Sequence, residues 1–242
     1  LGPAMFGGLS DGAVLVVERF GWWLHITTVF GFLCYLPYSK HLHILLAFPN
    51  TWYARLTPKG KMENMPEVQK EVRIMMGLEQ PDPNTPAELP EFGANDVFSL
   101  SWQNVLQAYT CTECGRCTAV CPANLTGKKL SPRKVMMDVR DRAEEIGKNL
   151  ETGKFAKENY DDGKSLFDYI TPEELHGCPT CNACVEACPV LINPLDIILK
   201  MRRHEILTQS AGPGDWLPMF NAIENNGAAW AMSDERSDWR NL

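Results

Sequence analysis

The chain has 242 residues, 45 % of them apolar, and a formal net charge of −7. That length suits one or two domains, and the apolar content suffices for a core. The acidity excludes a nucleic-acid binder, whose surface must be basic to meet phosphates. Nine cysteines are more than packing alone calls for. The opening residues LGPAMFGG lack the basic stretch and apolar core of a secretory signal. Neither they nor the closing SDWRNL mark a natural terminus, so the sequence reads as a partial chain.

The first region, 1–53, is apolar. From Phe20 to Phe48 it holds one lysine, three histidines and no acidic residue, and Phe20–Tyr38 is free of formal charge. About 20 such residues span a bilayer as a helix. Trp22 and Trp23 stand near one end and Trp52 and Tyr53 just past the other, as interfacial aromatics do. Asp11 and Glu18 precede the run, while Lys40, Arg55, Lys59 and Lys61 follow it. The pattern predicts a transmembrane helix in the cytoplasmic (inner) membrane, with everything after residue 50 facing the cytoplasm. The alternative is a buried core helix.

His25 and His43 lie 18 residues apart. On one continuous helix that is five full turns, which places both on the same face, ~27 Å apart. A polar side chain inside a span is a functional candidate, and imidazole is a standard haem ligand. Each histidine is therefore a candidate ligand of a b-type haem, partnered from other helices. His41 falls on the opposite side. The competing reading is ordinary hydrogen bonding to a neighbouring helix.

The second region, 54–98, reads as an extended linker. PEVQKEVRIMMG is expected to form a short helix between Pro66 and Gly77. Four prolines follow within residues 81–90.

The third region, 99–242, carries eight of the nine cysteines. SWQNVLQAY predicts a helix. Ser131–Pro132, Thr171–Pro172 and Asn193–Pro194 predict three further helix starts, each with a capping side chain before a proline. No run alternates like a strand, so the fold class is all-α.

CTECGRCTAVCP at 111–122 recurs as CPTCNACVEACP at 178–189, an offset of 67 residues for all four cysteines and the proline. Three thiolates at CxxCxxC spacing wrap one iron–sulfur cubane, and in two-cluster proteins the fourth cysteine ligates the other cluster. Cys111, Cys114, Cys117 and Cys188 are then expected to hold one [4Fe–4S] cluster, and Cys178, Cys181, Cys184 and Cys121 the second. Pro122 and Pro189 redirect the chain after each exchanged ligand. A zinc site uses four ligands, usually two separated CxxC pairs. Disulfides need an oxidising compartment, and a thioredoxin-like CxxC needs only two cysteines. Small or apolar residues fill the gaps, which suits a shielded cluster. Arg116 and Glu186 read as solvated surface or as contacts to a redox partner.

These motifs resemble the dicluster ferredoxin domain of heterodisulfide reductase iron–sulfur subunits, with similar domains in anaerobic glycerol-3-phosphate dehydrogenase and in succinate dehydrogenase or fumarate reductase. LPYSKHLHILLAFP resembles the end of the last membrane helix in the cytochrome b (gamma) subunit of respiratory nitrate reductase, where two histidines ligate two haems; the match falls on His25 and His43. Both features together, with IENNGAAW near the end, resemble the membrane-bound heterodisulfide-reductase-like (Fe–S) proteins, which include proposed electron-transfer-flavoprotein:menaquinone oxidoreductases. Two departures stand out. Only the last of that family's membrane helices is represented, and no cysteine follows Cys188, so the family's cysteine-rich CCG domains are not represented.

The resemblance implies an electron-transfer component of a membrane-bound respiratory oxidoreductase. Its partners would be a cytoplasmic redox protein, haem b, quinone and other membrane helices. No catalytic site of its own is visible in the sequence. The alternative is an iron–sulfur subunit of a soluble complex whose apolar N-terminus packs against a partner subunit. A structural metal-binding module is a third reading.

Overall fold

The computed structural model describes residues 2–80, 91–153, 155, 160–229 and 240. The proline run at 81–90, and the closing SDWRNL apart from Arg240, lie outside the described residues. Among those described, every regular element is helical: α1 (Gly2–Phe6), α2 (Asp11–Tyr35), α3 (Leu42–Trp52), α4 (Pro66–Met75), α5 (Trp102–Thr110), α6 (Arg116–Ala119), α7 (Pro122–Leu125), α8 (Pro132–Glu151), α9 (Pro172–His176), α10 (Ala183–Glu186), α11 (Pro194–Arg203) and α12 (Trp216–Asn226).

The helix starts follow from local chemistry. Ser101, Thr171, Ser131 and Asn193 each accept a hydrogen bond from a backbone N–H in the first turn, which satisfies a donor with no partner inside the helix. Pro132, Pro172 and Pro194 sit at the first helical position, where the missing N–H costs nothing. α4 begins at Pro66, as its sequence predicts.

α8 is the central beam. Its buried side chains Val135, Met136, Val139, Arg142 and Ile146 recur at helical spacing, and the helix packs on α5 and α11. The core around it includes Leu130, Leu166, Ile170, Leu175, Ile197, Ile198 and Met201. Arg142 is a charged member of this interior, with 0 % of its side chain exposed. Its guanidinium donates to Asp96 at 2.7 Å and Asp162 at 2.6 Å, and to the Lys164 carbonyl at 2.9 Å. Those bonds tie the segments before α5 and after α8 to the beam.

The strap leading into α5 crosses α11 at Gly93. A Cβ there would stand 2.1 Å from the Lys200 carbonyl oxygen, and its φ of +77° is itself unfavourable to other residues. Gly93→Ala should lower the unfolding free energy by about 2–4 kcal/mol, combining left-handed strain with overpacking. A lower urea midpoint with an unchanged slope checks this.

The expected membrane span is corrected here. The apolar run does not form one helix. α2 ends at Tyr35, a 3₁₀ turn follows over Leu36–Tyr38 with Pro37 in it, and α3 begins only at Leu42. α2 also includes Asp11, Glu18, Arg19 and His25. Among the described residues no helix is long and apolar enough to cross a membrane. The expected inner-membrane placement, with the cluster region facing the cytoplasm, loses its basis with that helix.

The two parts of the run have different surroundings. α2 has no buried residue and exposes Trp22, Trp23, Phe30 and Leu33. α3 packs on α5. Asn50 of α3 is buried and donates from Nδ2 to the Val190 carbonyl at 2.6 Å. Gln103 of α5 donates to the Tyr53 carbonyl at 2.6 Å, and the Tyr53 and Trp102 rings meet edge to face.

Candidate iron–sulfur site

The two cysteine motifs fold as two copies of one loop. Each leaves a helix (α5 or α9), makes two left-handed residues, and enters a one-turn helix (α6 or α10). The left-handed positions match at the same offset of 67: Glu113 (φ 55°) with Thr180 (φ 57°), and Gly115 (φ 80°) with Asn182 (φ 62°). Such angles are uncommon in non-glycine residues and persist where the surroundings enforce them. They turn backbone N–H groups inward. The amides of Glu113, Arg116, Thr118 and Thr180 point at the sulfurs of Cys111, Cys114, Cys117 and Cys178. Ile192 N donates to Cys188 Sγ at 3.3 Å.

All nine cysteines are free thiols. The eight in the motifs fall into two neighbourhoods. Cys111 and Cys117 feel Cys188, and Cys117 feels Cys114. Cys178 feels Cys121 and Cys181, and Cys184 feels Cys178, Cys121 and Cys181. Thus the fourth cysteine of each motif lies near cysteines of the other, and Cys188 lines one cavity with Cys111, Cys114, Cys117 and Cys184. Cys184 also feels Cys117, so the two groups are adjacent.

Burial dominates the electrostatics. It pushes the thiols of Cys111, Cys117 and Cys178 up, and that of Cys184 up to about 12, with neighbouring cysteines adding to it. Cys114, at the surface, goes the other way because the Arg116 backbone N–H favours its thiolate. Buried thiolates gathered this closely are unfavourable alone and favourable around a cation. Among the described residues no three His, Cys, Asp or Glu side chains stand close enough to share a single metal ion. As a donor set, four thiolates in each neighbourhood suit a group that spreads them over several irons. Arg202 braces the second loop, donating to the carbonyls of Leu175 at 2.6 Å and Cys178 at 2.7 Å.

The histidines are not arranged as expected. The helix break puts His25 on α2 and His43 on α3, so the one-face, five-turn relation does not hold. His25 is exposed. His43 Nδ1 lies 2.7 Å from the Lys40 carbonyl, a local bond at the turn. Haem b is without support in this arrangement.

The left-handed pair Glu113 and Thr180 escaped sequence reasoning. The signal for the loop was there one step later, in Gly115 and Asn182, two residue types that tolerate the conformation.

Residues 110–192 match the family described as a 4Fe-4S dicluster domain. The chain is similar to the "Probable iron-sulfur-binding oxidoreductase FadF" of Bacillus subtilis, 28 % identical over 264 residues, covering 98 % of this chain and 35 % of that one. It is also similar to the "EtfAB:quinone oxidoreductase" of Syntrophomonas wolfei, 27 % identical over 246 residues, covering 95 % and 32 %. A "Probable membrane-anchored ferredoxin" of Chromohalobacter salexigens is 35 % identical over 136 residues, covering 50 % and 20 %. The chain spans about a third of the length of the first two relatives. No solved structure matches it. The paired loops thus fall within a stretch that matches a 4Fe–4S dicluster domain, in a chain similar over nearly its whole length to part of two proteins named as iron–sulfur-binding or quinone oxidoreductases.

Proposed function

We propose that the eight motif cysteines hold two [4Fe–4S] clusters by crossed ligation, and that the chain carries electrons between a redox protein and a quinone. The first cluster is assigned to Cys111, Cys114, Cys117 and Cys188, the second to Cys178, Cys181, Cys184 and Cys121. This reading is supported by the one cavity that Cys188 lines with Cys111, Cys114 and Cys117, and by the electrostatic coupling of Cys121 to Cys178 and Cys184. When bound, each cluster accepts and returns one electron. The chain's own residues hold the two sites adjacent, aim N–H groups at the sulfurs and keep Cys121 and Cys184 from solvent. EtfAB as donor and quinone as acceptor are taken from the name of the relative in Syntrophomonas. In this reading residues 99–242 are the cluster unit and 54–98 link it to 1–53.

A second reading is favoured by α2, none of whose residues is buried. There the chain is a subunit of a larger complex, and the apolar α2 packs against a partner subunit.

Anaerobically reconstituted chain should contain about eight irons and about eight labile sulfides, with a reduced-minus-oxidised spectrum bleaching in the visible. Two zincs and no sulfide would overturn the assignment.

A further inference from the structure

The two loops match in backbone but not in charge. Between Glu113 and Asp138 the sequence has five cations (Arg116, Lys128, Lys129, Arg133, Lys134) and no carboxylate, in a chain of net charge −7. The positions 67 residues on replace Arg116 by Ala183, Ala119 by Glu186 and Lys129 by Asp196. Lys129 and Lys134 are paired with carboxylates. Among the described residues Arg116 and Arg133 form no ion pair. Both are exposed, and both border the cavity that Cys114 lines. Arg133 Nη1 stands 3.9 Å from where a Cβ on Gly115 would lie. Cys114 is itself exposed, and Val120 (41 %) and Leu125 (71 %) add bare apolar surface close by along the chain.

The second loop has other company. Arg55, Lys59 and Glu63 of the connector line a cavity of about 260 Å³ together with Thr180 and Asn182, and Lys59 is ion-paired with Glu186. Its charges Lys59 and Glu186 are matched within the chain, while Arg116 and Arg133 at the first loop are not.

We infer that the Cys114 face, with Arg116 and Arg133 around it, is the docking surface for a small acidic one-electron carrier protein, so that electrons cross the chain's boundary at the first cluster. This rests on the two-cluster reading above. Unpaired cations around a redox centre raise the encounter rate with an acidic partner by long-range attraction, and the gain vanishes when salt screens it. Exposed apolar side chains beside the cations supply the dry contact.

The test is stopped-flow reduction of the cluster-loaded chain by a reduced flavodoxin, a small acidic flavoprotein, at low and at molar salt. Arg133→Glu should slow the second-order rate roughly tenfold or more at low salt, and the difference should close at high salt. Arg133→Gln should give a smaller loss in the same direction. The new carboxylate sits in the first turn of α8, where the helix dipole favours it, so the fold is not put at risk. Lys148→Glu is the control: it is exposed on the same helix, 15 residues and ~22 Å away, and should leave the rate within about twofold. Photoreduction through a neutral deazaflavin should be equal in all variants. Equal rates for Arg133→Glu and wild type with flavodoxin would overturn the docking face while the clusters stand. So would an equal loss in Lys148→Glu. A chain that takes up no iron would overturn the two-cluster reading and this inference with it.

Discussion

Cys121→Ser is expected to empty the cluster site of the other motif, the one built by Cys178, Cys181 and Cys184, and to spare its own. Iron content should fall from about eight to about four per chain, with one of two electron-spin signals lost. The decisive comparison pairs substitutions. Cys121→Ser with Cys181→Ser should lose no more iron than either alone, because both strike one site. Cys121→Ser with Cys114→Ser should empty both. Non-additivity of this kind reports shared membership. Loss confined to the site of Cys111, Cys114 and Cys117 in the single variant would contradict the exchange of ligands. The expectation follows from the neighbours of Cys121, which are Cys178 and Cys184.

Arg142→Met should be the most damaging change away from the sulfurs. It strands Asp96 and Asp162, whose side chains are 15 % and 9 % exposed, without their cation. Breaking a buried pair by removing one partner costs about 3–5 kcal/mol. The pH dependence gives a second check. In the intact protein Arg142 holds the Asp162 carboxyl well below the usual carboxylate range. Its contribution is full above the unfolded value, near pH ~4, and is lost only as pH falls further. Stability from this group is therefore flat between pH 7 and 5. In the variant, burial pushes the carboxyl up instead. A raised carboxylate binds its proton more readily folded than unfolded, so the variant should gain stability as pH drops from 7 to 5. Urea midpoints at the two pH values read the difference. A variant with a wild-type midpoint would remove Arg142 from its structural role.

Some of this architecture was legible in the sequence because it is local. Ser131–Pro132, Thr171–Pro172 and Asn193–Pro194 each specify a helix start within a few residues, and the doubled cysteine spacing specifies a metal chemistry without reference to the fold. What was not legible depends on distance. Nothing nearby separates Arg142 from Arg140; its partners Asp96 and Asp162 lie 46 and 20 residues away. The apolar run misled for a related reason. Its composition suits a membrane, but Pro37 ends the helix, and the next one has a protein surface to pack against in α5. The histidine alignment assumed a continuous helix and went with it. The left-handed Glu113 and Thr180 are set by the cysteine loop as a whole, which no residue preference encodes.

The bond from Asn50 to the Val190 carbonyl bears on where the molecule can be cut. Val190 comes two residues after Cys188, and Asn50 lies at the end of the apolar stretch, 140 residues earlier. A truncation that begins the chain at residue 54, the natural choice for a soluble fragment, removes the donor and leaves that carbonyl to find another. Losing that hydrogen bond costs about 0.5–1.5 kcal/mol, and here the slack falls on the loop that presents Cys188. A fragment chosen for solubility should therefore start before Leu42, so that α3 stays in place as the clasp on that loop.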